Sequence, residues 1–124
     1  MSDLLSGRLV LLAEDETLVS MILEDMLQEL GAARIIHAAN RAAALKALET
    51  ATPALALLDV NLGGETSYPI AEALEERKVP FIFVTGYGRD GLKAPWTDRP
   101  VLQKPMTLAM LTAAVRGALK GGNI

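Results

Sequence analysis

The sequence predicts an α/β protein in which helices cover both faces of a parallel β-sheet. Short apolar runs alternate along the chain with longer segments whose apolar residues recur every three or four positions. Most of these short runs are continuously apolar, which is typical of strands buried on both faces and therefore of a parallel sheet. A chain of 124 residues has room for one such domain.

The predicted elements follow one another in a regular order. Strands are expected at residues 8–13, 34–38, 55–59, 81–85 and 101–104, and helices at about 16–30, from 40 onward, at about 68–78 and at about 107–119. The first helix has one apolar face, formed by Val19, Leu23, Met26, Leu27 and Leu30.

Local signals fix the helix ends. Gly31 ends the first helix and Asn40 caps the second, whose inward face is Ala44, Leu45 and Leu48. Pro69 is tolerated in the first turn of the third helix. The last helix carries its apolar residues at Leu108, Leu111, Val115 and Leu119.

Residues 86–100 interrupt the alternation of strands and helices. Three glycines and two prolines fall within this stretch, namely Gly86, Gly88, Gly91, Pro95 and Pro100. Glycine and proline both disfavour helix interiors, so the helix expected between the fourth and fifth strands is short or missing.

Composition excludes several classes of function. The net charge is −3 and lysine and arginine do not cluster, which argues against nucleic-acid binding. The absence of cysteine excludes disulfides and thiolate chemistry. No apolar stretch or leader pattern indicates a membrane or secreted protein, so a cytoplasmic protein is expected. The domain is expected at residues 8–120, after an N-terminal segment 1–7 and before a flexible tail 121–124.

Polar residues stand where the predicted strands end. Glu14 and Asp15 follow the first strand, Asp59 ends the third, and Thr85 and Lys104 end the fourth and fifth. Ligands bind at the carboxyl ends of such strands, where the strand order reverses. If strands one and three are neighbours there, the three acids converge.

Converging acids need a cation. Two carboxylates about 4 Å apart repel each other by roughly 4 kcal/mol at an effective dielectric near 20. Carboxylates and a backbone carbonyl suit Mg²⁺. Each residue also has an ordinary explanation: Glu14, Asp15 and Glu16 as first-turn acids, Asp59 as a turn residue, and Thr85 and Lys104 as a strand former and a solvated lysine. Their joint placement favours the site.

This set of residues resembles the receiver domain of bacterial two-component response regulators. The resemblance rests on Glu14-Asp15, Asp59, Thr85 and Lys104-Pro105 and covers residues 8–119. It implies a flavodoxin-like, doubly wound, five-stranded sheet with strand order 2-1-3-4-5.

The resemblance also assigns roles to the site residues. Asp59 becomes the phosphoacceptor, with Asp15 and the Asn61 backbone carbonyl as ligands of Mg²⁺ and Glu14 as support for the metal, mainly through water. Thr85 donates its hydroxyl to the phosphoryl group and Lys104 pairs with it. The Lys104–Pro105 peptide bond is expected to be cis.

One departure concerns the switch that follows phosphorylation. Receivers commonly carry an aromatic residue three positions before the lysine, where this chain has Val101. Residues 83–87 instead resemble a single-domain subclass with a Phe-x-Thr-Gly-hydrophobic motif after strand four. That subclass also suits Gly63, at a position where most receivers have proline.

We therefore hypothesise a different switch. Thr85 reads the phosphoryl group, Gly86 and Gly88 act as hinges, and residues 86–100 rearrange. Tyr87 either moves with them or is simply a surface aromatic; the sequence does not decide between the two.

Two further residues are less informative. His37, the only histidine, is read as a rim residue rather than a ligand or phosphodonor. Trp96 is expected to pack the irregular segment over the sheet, with exposure at a partner surface as the alternative.

The resemblance implies a stand-alone response regulator. It would accept a phosphoryl group from a histidine kinase or a histidine phosphotransfer protein, and it would catalyse only its own phosphorylation and dephosphorylation. It would then either contact an unknown downstream protein or serve as a phosphate sink. It is expected to be a monomer or weak dimer that binds neither nucleic acid nor membrane. The alternatives are a non-phosphorylated docking module and an aspartate-nucleophile phosphohydrolase. The second would need another acid at Asn61 and a cap domain.

Overall fold

The computed structural model describes residues 4–87 and 91–121. Its strands, in chain order, are β1 (Leu9–Ala13), β2 (Arg34–Ala38), β3 (Leu55–Asp59), β4 (Asn61–Leu62), β5 (Glu65–Thr66), β6 (Phe81–Thr85) and β7 (Val101–Gln103). Five of them form one parallel sheet in the order β2-β1-β3-β6-β7. Counted within that sheet, the order is 2-1-3-4-5, and the predicted fold class is confirmed.

The helices lie close to their predicted positions. They are α1 (Thr17–Glu29), α2 (Arg41–Thr50), α3 (Tyr68–Glu76) and α4 (Leu108–Gly121). Asn40 caps α2 as predicted, because its Oδ1 accepts the backbone N–H of Ala43 at 2.8 Å. Thr107 plays the same part for α4, where its hydroxyl accepts the N–H of Met110 at 3.1 Å.

Two apolar cores lie on opposite faces of the sheet. Successive strand residues point to opposite faces, so Leu57 and Ile82 pack with α1 and α4, whereas Leu58 and Phe83 pack with α2 and α3. Strands β3 and β6 are buried along their whole length. The sheet is therefore a rigid middle layer that holds its strand ends in place.

The hairpin after β3 is a feature that the sequence does not predict. Strands β4 and β5 pair in antiparallel fashion around Gly63 and Gly64, whose φ angles are 61° and 95°. Two successive residues with positive φ form the tight turn that joins hairpin strands, and glycine adopts it without strain. The hairpin fixes the position of the chain directly after Asp59.

The segment between β6 and β7 is irregular, as predicted. Within its described residues, 86–87 and 91–100, there is no α-helix. Trp96 is buried and lies over the sheet, as expected, stacked on Tyr68 with ring centroids 6.0 Å apart and an interplanar angle of 11°. Lys93 adds a backbone hydrogen bond, since its N–H donates to the Tyr68 hydroxyl at 2.9 Å. Gly88, one of the two glycines expected to act as hinges, lies outside the described residues.

Two peptide bonds before proline are cis. These are Lys104–Pro105, as expected, and Ala94–Pro95, for which the sequence raises no expectation. Among the described residues, none of the helices combines the length and apolar character that crossing a membrane requires.

We predict that Gly117→Ala stabilises the protein. Gly117 lies exposed inside α4, and a β-carbon there would meet no atom within 4 Å. Alanine lowers the entropy of the unfolded chain relative to glycine, so the free energy of unfolding should rise by about 0.5–1 kcal/mol. Urea unfolding followed by circular dichroism measures the change.

Gly7→Ala is the matched control. Its β-carbon also has open space, but the φ of Gly7 is 73°, where a side chain is strained. We expect a loss of about 1 kcal/mol at this site. Equal effects of the two substitutions would contradict the prediction.

Candidate functional site

The carboxyl edge of the sheet gathers acidic side chains. Asp59 is the last residue of β3, and Glu14 directly follows β1. The register pairs Ala13 with Leu58, so the next residues along both strands, Glu14 and Asp59, lie side by side. Glu14 is fully buried and Asp59 is 8% exposed. These carboxyl groups are therefore held together by the two central strands.

Four acids form one cluster at this edge. Glu14, Asp15, Glu16 and Asp59 each place a carboxylate oxygen within 4.8 Å of the others. Asp15 and Glu16 are exposed, so the cluster opens to solvent on one side. A set of four carboxylates at this spacing could hold a metal ion.

Lys104 supplies the positive charge of the site. Its Nζ lies 2.9 Å from Glu14 Oε1, 3.2 Å from Asp59 Oδ2 and 3.5 Å from Glu16 Oε1. The lysine is held at the sheet edge because its backbone N–H donates to the Thr85 carbonyl at 2.9 Å. One ammonium thus contacts three carboxylates.

Burial and crowding alter the acidity of the central groups. Desolvation and the neighbouring Glu14 carboxylate raise the pKa of Asp59 from 3.8 to about 7, against the opposing effect of Lys104. For Lys104, burial lowers the pKa, but its contacts with Glu14 and Asp59 outweigh burial and the net pKa is raised. Lys104 therefore stays protonated near neutral pH, whereas Asp59 titrates in that range.

Thr85 ends β6 next to the acidic cluster. The register pairs Asp59 with Val84, the residue before Thr85. Thr85 is 4% exposed, and its Oγ1 accepts the backbone N–H of Tyr87 at 3.1 Å. The Thr85 hydroxyl can therefore still donate its own proton to another acceptor. Tyr87 itself is 80% exposed.

The hairpin closes the site on the side of Asp15. The N–H of Gly63 donates to Asp15 Oδ2 at 3.1 Å, and the N–H of Asn61 lies 3.4 Å from Asp59 Oδ1. The Asn61 side chain is used within the turn, where its Oδ1 accepts the N–H of Gly64 at 2.8 Å. The backbone of residues 61–63 therefore borders the acids, and the Asn61 carbonyl remains a predicted ligand.

His37 supports the site from its rim. It is exposed at β2, and its Nε2 donates to the backbone carbonyl of Glu14 at 2.7 Å. This contact holds the turn that carries Glu14 and Asp15.

Glu16 is the site residue that sequence reasoning misses. The pattern indicates only a first-turn acid of the helix, yet Glu16 belongs to the carboxylate cluster and lies near Lys104. Its position directly after Glu14-Asp15 is the available signal. Its approach to Lys104 depends on a side-chain conformation that the sequence pattern does not show.

Comparison with known protein families identifies the family of the chain that carries this site. Residues 10–116 match the family model of the response regulator receiver domain. The chain belongs to this family.

Relatives of known structure support the assignment of this receiver domain. It is 42% identical to SdrG from Sphingomonas melonis Fr1, whose solution structure gives a TM-score of 0.80 over 97% of this chain and 99% of SdrG. The receiver domain of PhyR from Erythrobacter litoralis is 30% identical, with a TM-score of 0.77 over 93% of this chain and 92% of that domain.

A longer relative matches over part of its length. The phyllosphere-induced regulator PhyR of Methylorubrum extorquens is 33% identical over an alignment of 117 positions, and the match covers 89% of this chain and 43% of that regulator. The chain thus spans less than half of this relative.

We predict that Asp59→Asn stabilises the metal-free receiver domain, more at high pH than at low pH. Because the folded pKa lies above the unfolded value, the folded protein binds more protons between about pH 4 and pH 7, and its stability falls as the pH rises. Asparagine removes that loss. The gain from the substitution should be larger at pH 8 than at pH 5 by on the order of 2 kcal/mol.

Urea unfolding in a chelator-containing buffer measures these gains. Asp25→Asn, at an exposed aspartate of α1, is the matched control and should show no comparable dependence on pH. An Asp59→Asn gain that is the same at both pH values would contradict the raised pKa.

Proposed function

We propose that this receiver domain accepts a phosphoryl group on Asp59 from a phosphohistidine of a histidine kinase or a histidine phosphotransfer protein. The observation that carries the proposal is the pairing of Asp59 with Lys104 at 3.2 Å inside a cluster of three further acids. A carboxylate set against one fixed ammonium and a cation-binding cluster suits transfer of an anionic group, because transfer depends on positioning and charge neutralisation.

The residues present fit Mg²⁺. Oε1 of Glu14 is buried without an aligned hydrogen-bond donor among the described residues, although the Lys104 ammonium lies 2.9 Å away. The available ligands are oxygen atoms, which Mg²⁺ prefers. We assign Asp15, Asp59 and the Asn61 carbonyl as its ligands, with Glu14 as support. Bound Mg²⁺ would supply positive charge that neutralises phosphoryl oxygens.

Asp59 acts as the nucleophile in its ionised form. One of its carboxylate oxygens forms a bond to phosphorus, while the bond between phosphorus and the donor imidazole breaks and its electron pair returns to the ring nitrogen. Lys104 then pairs with a phosphoryl oxygen, and Thr85 donates its hydroxyl to another. Hydrolysis by water later restores the carboxylate. The protein catalyses no reaction other than its own phosphorylation and dephosphorylation.

The phosphodonor needs a surface beside Asp59. Helix α1 starts directly after Glu16, and its exposed residues include Leu18 (70% exposed), Met21 (57%) and Ile22 (48%). Apolar side chains exposed together near a reaction centre are typical of a protein interface. We assign this face to the histidine-containing partner, whose imidazole must reach Asp59.

The signal leaves through the residues after β6. We propose that Thr85 reads the phosphoryl group and that Gly86, Tyr87 and Gly88 rearrange with it. The rearrangement is proposed for residues 86–100, a stretch in which Leu92 and Trp96 are buried. The related SdrG, to which this chain is 42% identical, also has a solution structure in its beryllofluoride-activated conformation. That structure gives a TM-score of 0.78 over 92% of this chain and 98% of SdrG. It supports the proposal that this receiver domain also has an activated state.

The last part of the proposal concerns the output of the receiver domain. We propose that it contacts a downstream protein or serves as a phosphate sink. We also propose that it is a cytoplasmic monomer or weak dimer that acts without nucleic acid or membrane. The domain itself is taken as residues 8–120, with 1–7 and 121–124 as flanking segments.

The phosphoacceptor is tested by mass spectrometry. After incubation with acetyl phosphate and Mg²⁺, the intact protein should gain the mass of one phosphoryl group, and peptide mapping should place it on Asp59. Asp59→Asn should abolish the gain because the nucleophile is lost, whereas Asp25→Asn, on the exposed side of α1, should gain as the wild type does. Omitting Mg²⁺ should slow the gain by at least about tenfold, since charge neutralisation is lost.

Binding of beryllofluoride separates this function from the docking module. With Mg²⁺, it should change the amide spectrum of the wild type around Asp59 and Thr85 but not that of Asp59→Asn. A wild type that gains no mass and shows no spectral change would favour the docking module. Steady hydrolysis of a generic phosphate ester would instead favour the phosphohydrolase.

A further inference from the structure

Gly91 packs directly against the Thr85 side chain. A β-carbon at Gly91 would lie 2.6 Å from Thr85 Oγ1, 3.3 Å from Thr85 Cγ2 and 3.3 Å from Tyr87 Cβ. The shortest of these distances is below any that a real β-carbon adopts. No residue other than glycine fits here while Thr85 keeps its present position.

The requirement for glycine at this position is steric. The φ of Gly91 lies outside the left-handed region, unlike those of Gly63 and Gly64, so alanine would not strain the backbone. A β-carbon at Gly86, in the same segment, would meet no atom within 4 Å. The crowding therefore arises from the side chains that Gly91 contacts, and its closest approach is to Thr85 Oγ1.

Buried contacts hold the residues that follow Gly91 in place. The next residue, Leu92, is 6% exposed, and the N–H of Lys93 donates to the Tyr68 hydroxyl. Trp96 then stacks on the same Tyr68 ring. Gly91 therefore cannot retreat from Thr85 without disturbing buried contacts of the segment that follows it.

Two hydrogen bonds also hold Thr85 in place. Its Oγ1 is hydrogen-bonded to the N–H of Tyr87, and its carbonyl accepts the N–H of Lys104. A β-branched side chain has few allowed rotamers, so a neighbour in van der Waals contact selects among them.

We propose that Gly91 is a positioning residue for the phosphoacceptor site, because its lack of a side chain leaves the space in which the Thr85 hydroxyl is held. The inference rests on the proposed role of Thr85 in binding the phosphoryl group. It adds a direct contact through which a change at Thr85 reaches the anchored segment of Leu92 and Trp96.

A mutant cycle tests the contact itself. Gly91→Ala should lower the midpoint of urea unfolding of the metal-free protein. The same substitution in a Thr85→Ala background should cost much less, because Thr85 Oγ1 and Cγ2 are gone and only the 3.3 Å approach to Tyr87 Cβ remains. Gly117→Ala is the matched glycine-to-alanine control, distant from the site and in open space. An equal cost of Gly91→Ala in both backgrounds would overturn the inference.

A second cycle tests the role in positioning. The readout is the affinity for beryllofluoride with Mg²⁺, followed by NMR through the Tyr87 amide, which every variant retains. Gly91→Ala should weaken this affinity by roughly tenfold, as expected when one donor to the bound group is misplaced. In the Thr85→Ala background it should change the affinity less than about twofold.

The conservative variant Thr85→Ser distinguishes the hydroxyl of Thr85 from its methyl group. Serine keeps the oxygen that a β-carbon at residue 91 would approach to 2.6 Å and lacks only the methyl group, which that β-carbon would approach to 3.3 Å. We therefore expect Gly91→Ala to weaken beryllofluoride binding in the Thr85→Ser background nearly as much as in the wild type. An effect in the Thr85→Ser background as small as in the Thr85→Ala background, or an unchanged affinity in Gly91→Ala itself, would overturn the inference.

Failure of the proposed function is distinguishable from failure of this inference. A wild type that neither binds beryllofluoride nor gains mass with acetyl phosphate overturns both. A wild type that does both, while Gly91→Ala behaves as Gly117→Ala does, overturns the role of Gly91 alone.

Discussion

An excess of negative charge at one edge of the sheet organises this protein. Four carboxyl groups lie within 4.8 Å of one another, and one ammonium, Lys104, contacts three of them. The balance is incomplete, as the raised pKa of Asp59 shows. Without a cation such a site tends to keep a proton on Asp59, whereas a bound cation would favour the ionised carboxylate that the proposed phosphoacceptor role requires.

The sheet maintains this unfavourable arrangement. Strands β3 and β6 are buried along their length, and they end at Asp59 and Thr85, two residues of the proposed phosphorylation site. The stability of the two apolar cores offsets the cost of crowding the acids. The carboxyl edge of the sheet stays polar and partly open, so incoming groups reach it from solvent.

Much of this arrangement is predictable from the sequence. Most strands of the main sheet are short apolar runs, and the polar residues at the ends of β1, β3, β6 and β7 indicate which edge carries the site. Asn40 and Pro69 mark helix starts with the same clarity. By contrast, strands β4 and β5 have two residues each, too few for any periodicity to show. Glu16 and Gly91 escape prediction because their roles depend on side-chain packing that the sequence pattern does not show.

The aromatic residues have a consequence for how the protein can be observed. One aromatic cluster forms where the segment after β6 meets the sheet, and it consists of Tyr68, Phe81, Phe83 and Trp96, the last of which belongs to that segment. The guanidinium carbon of Arg99 lies 5.9 Å from the centre of the Phe81 ring and 5.3 Å from that of the Trp96 ring. Trp96 is the only tryptophan of the chain. Its ultraviolet emission therefore reports from a single known place, next to the segment that contacts Thr85. The unlabelled protein thus contains its own optical probe, with which stopped-flow instruments can time events at that segment.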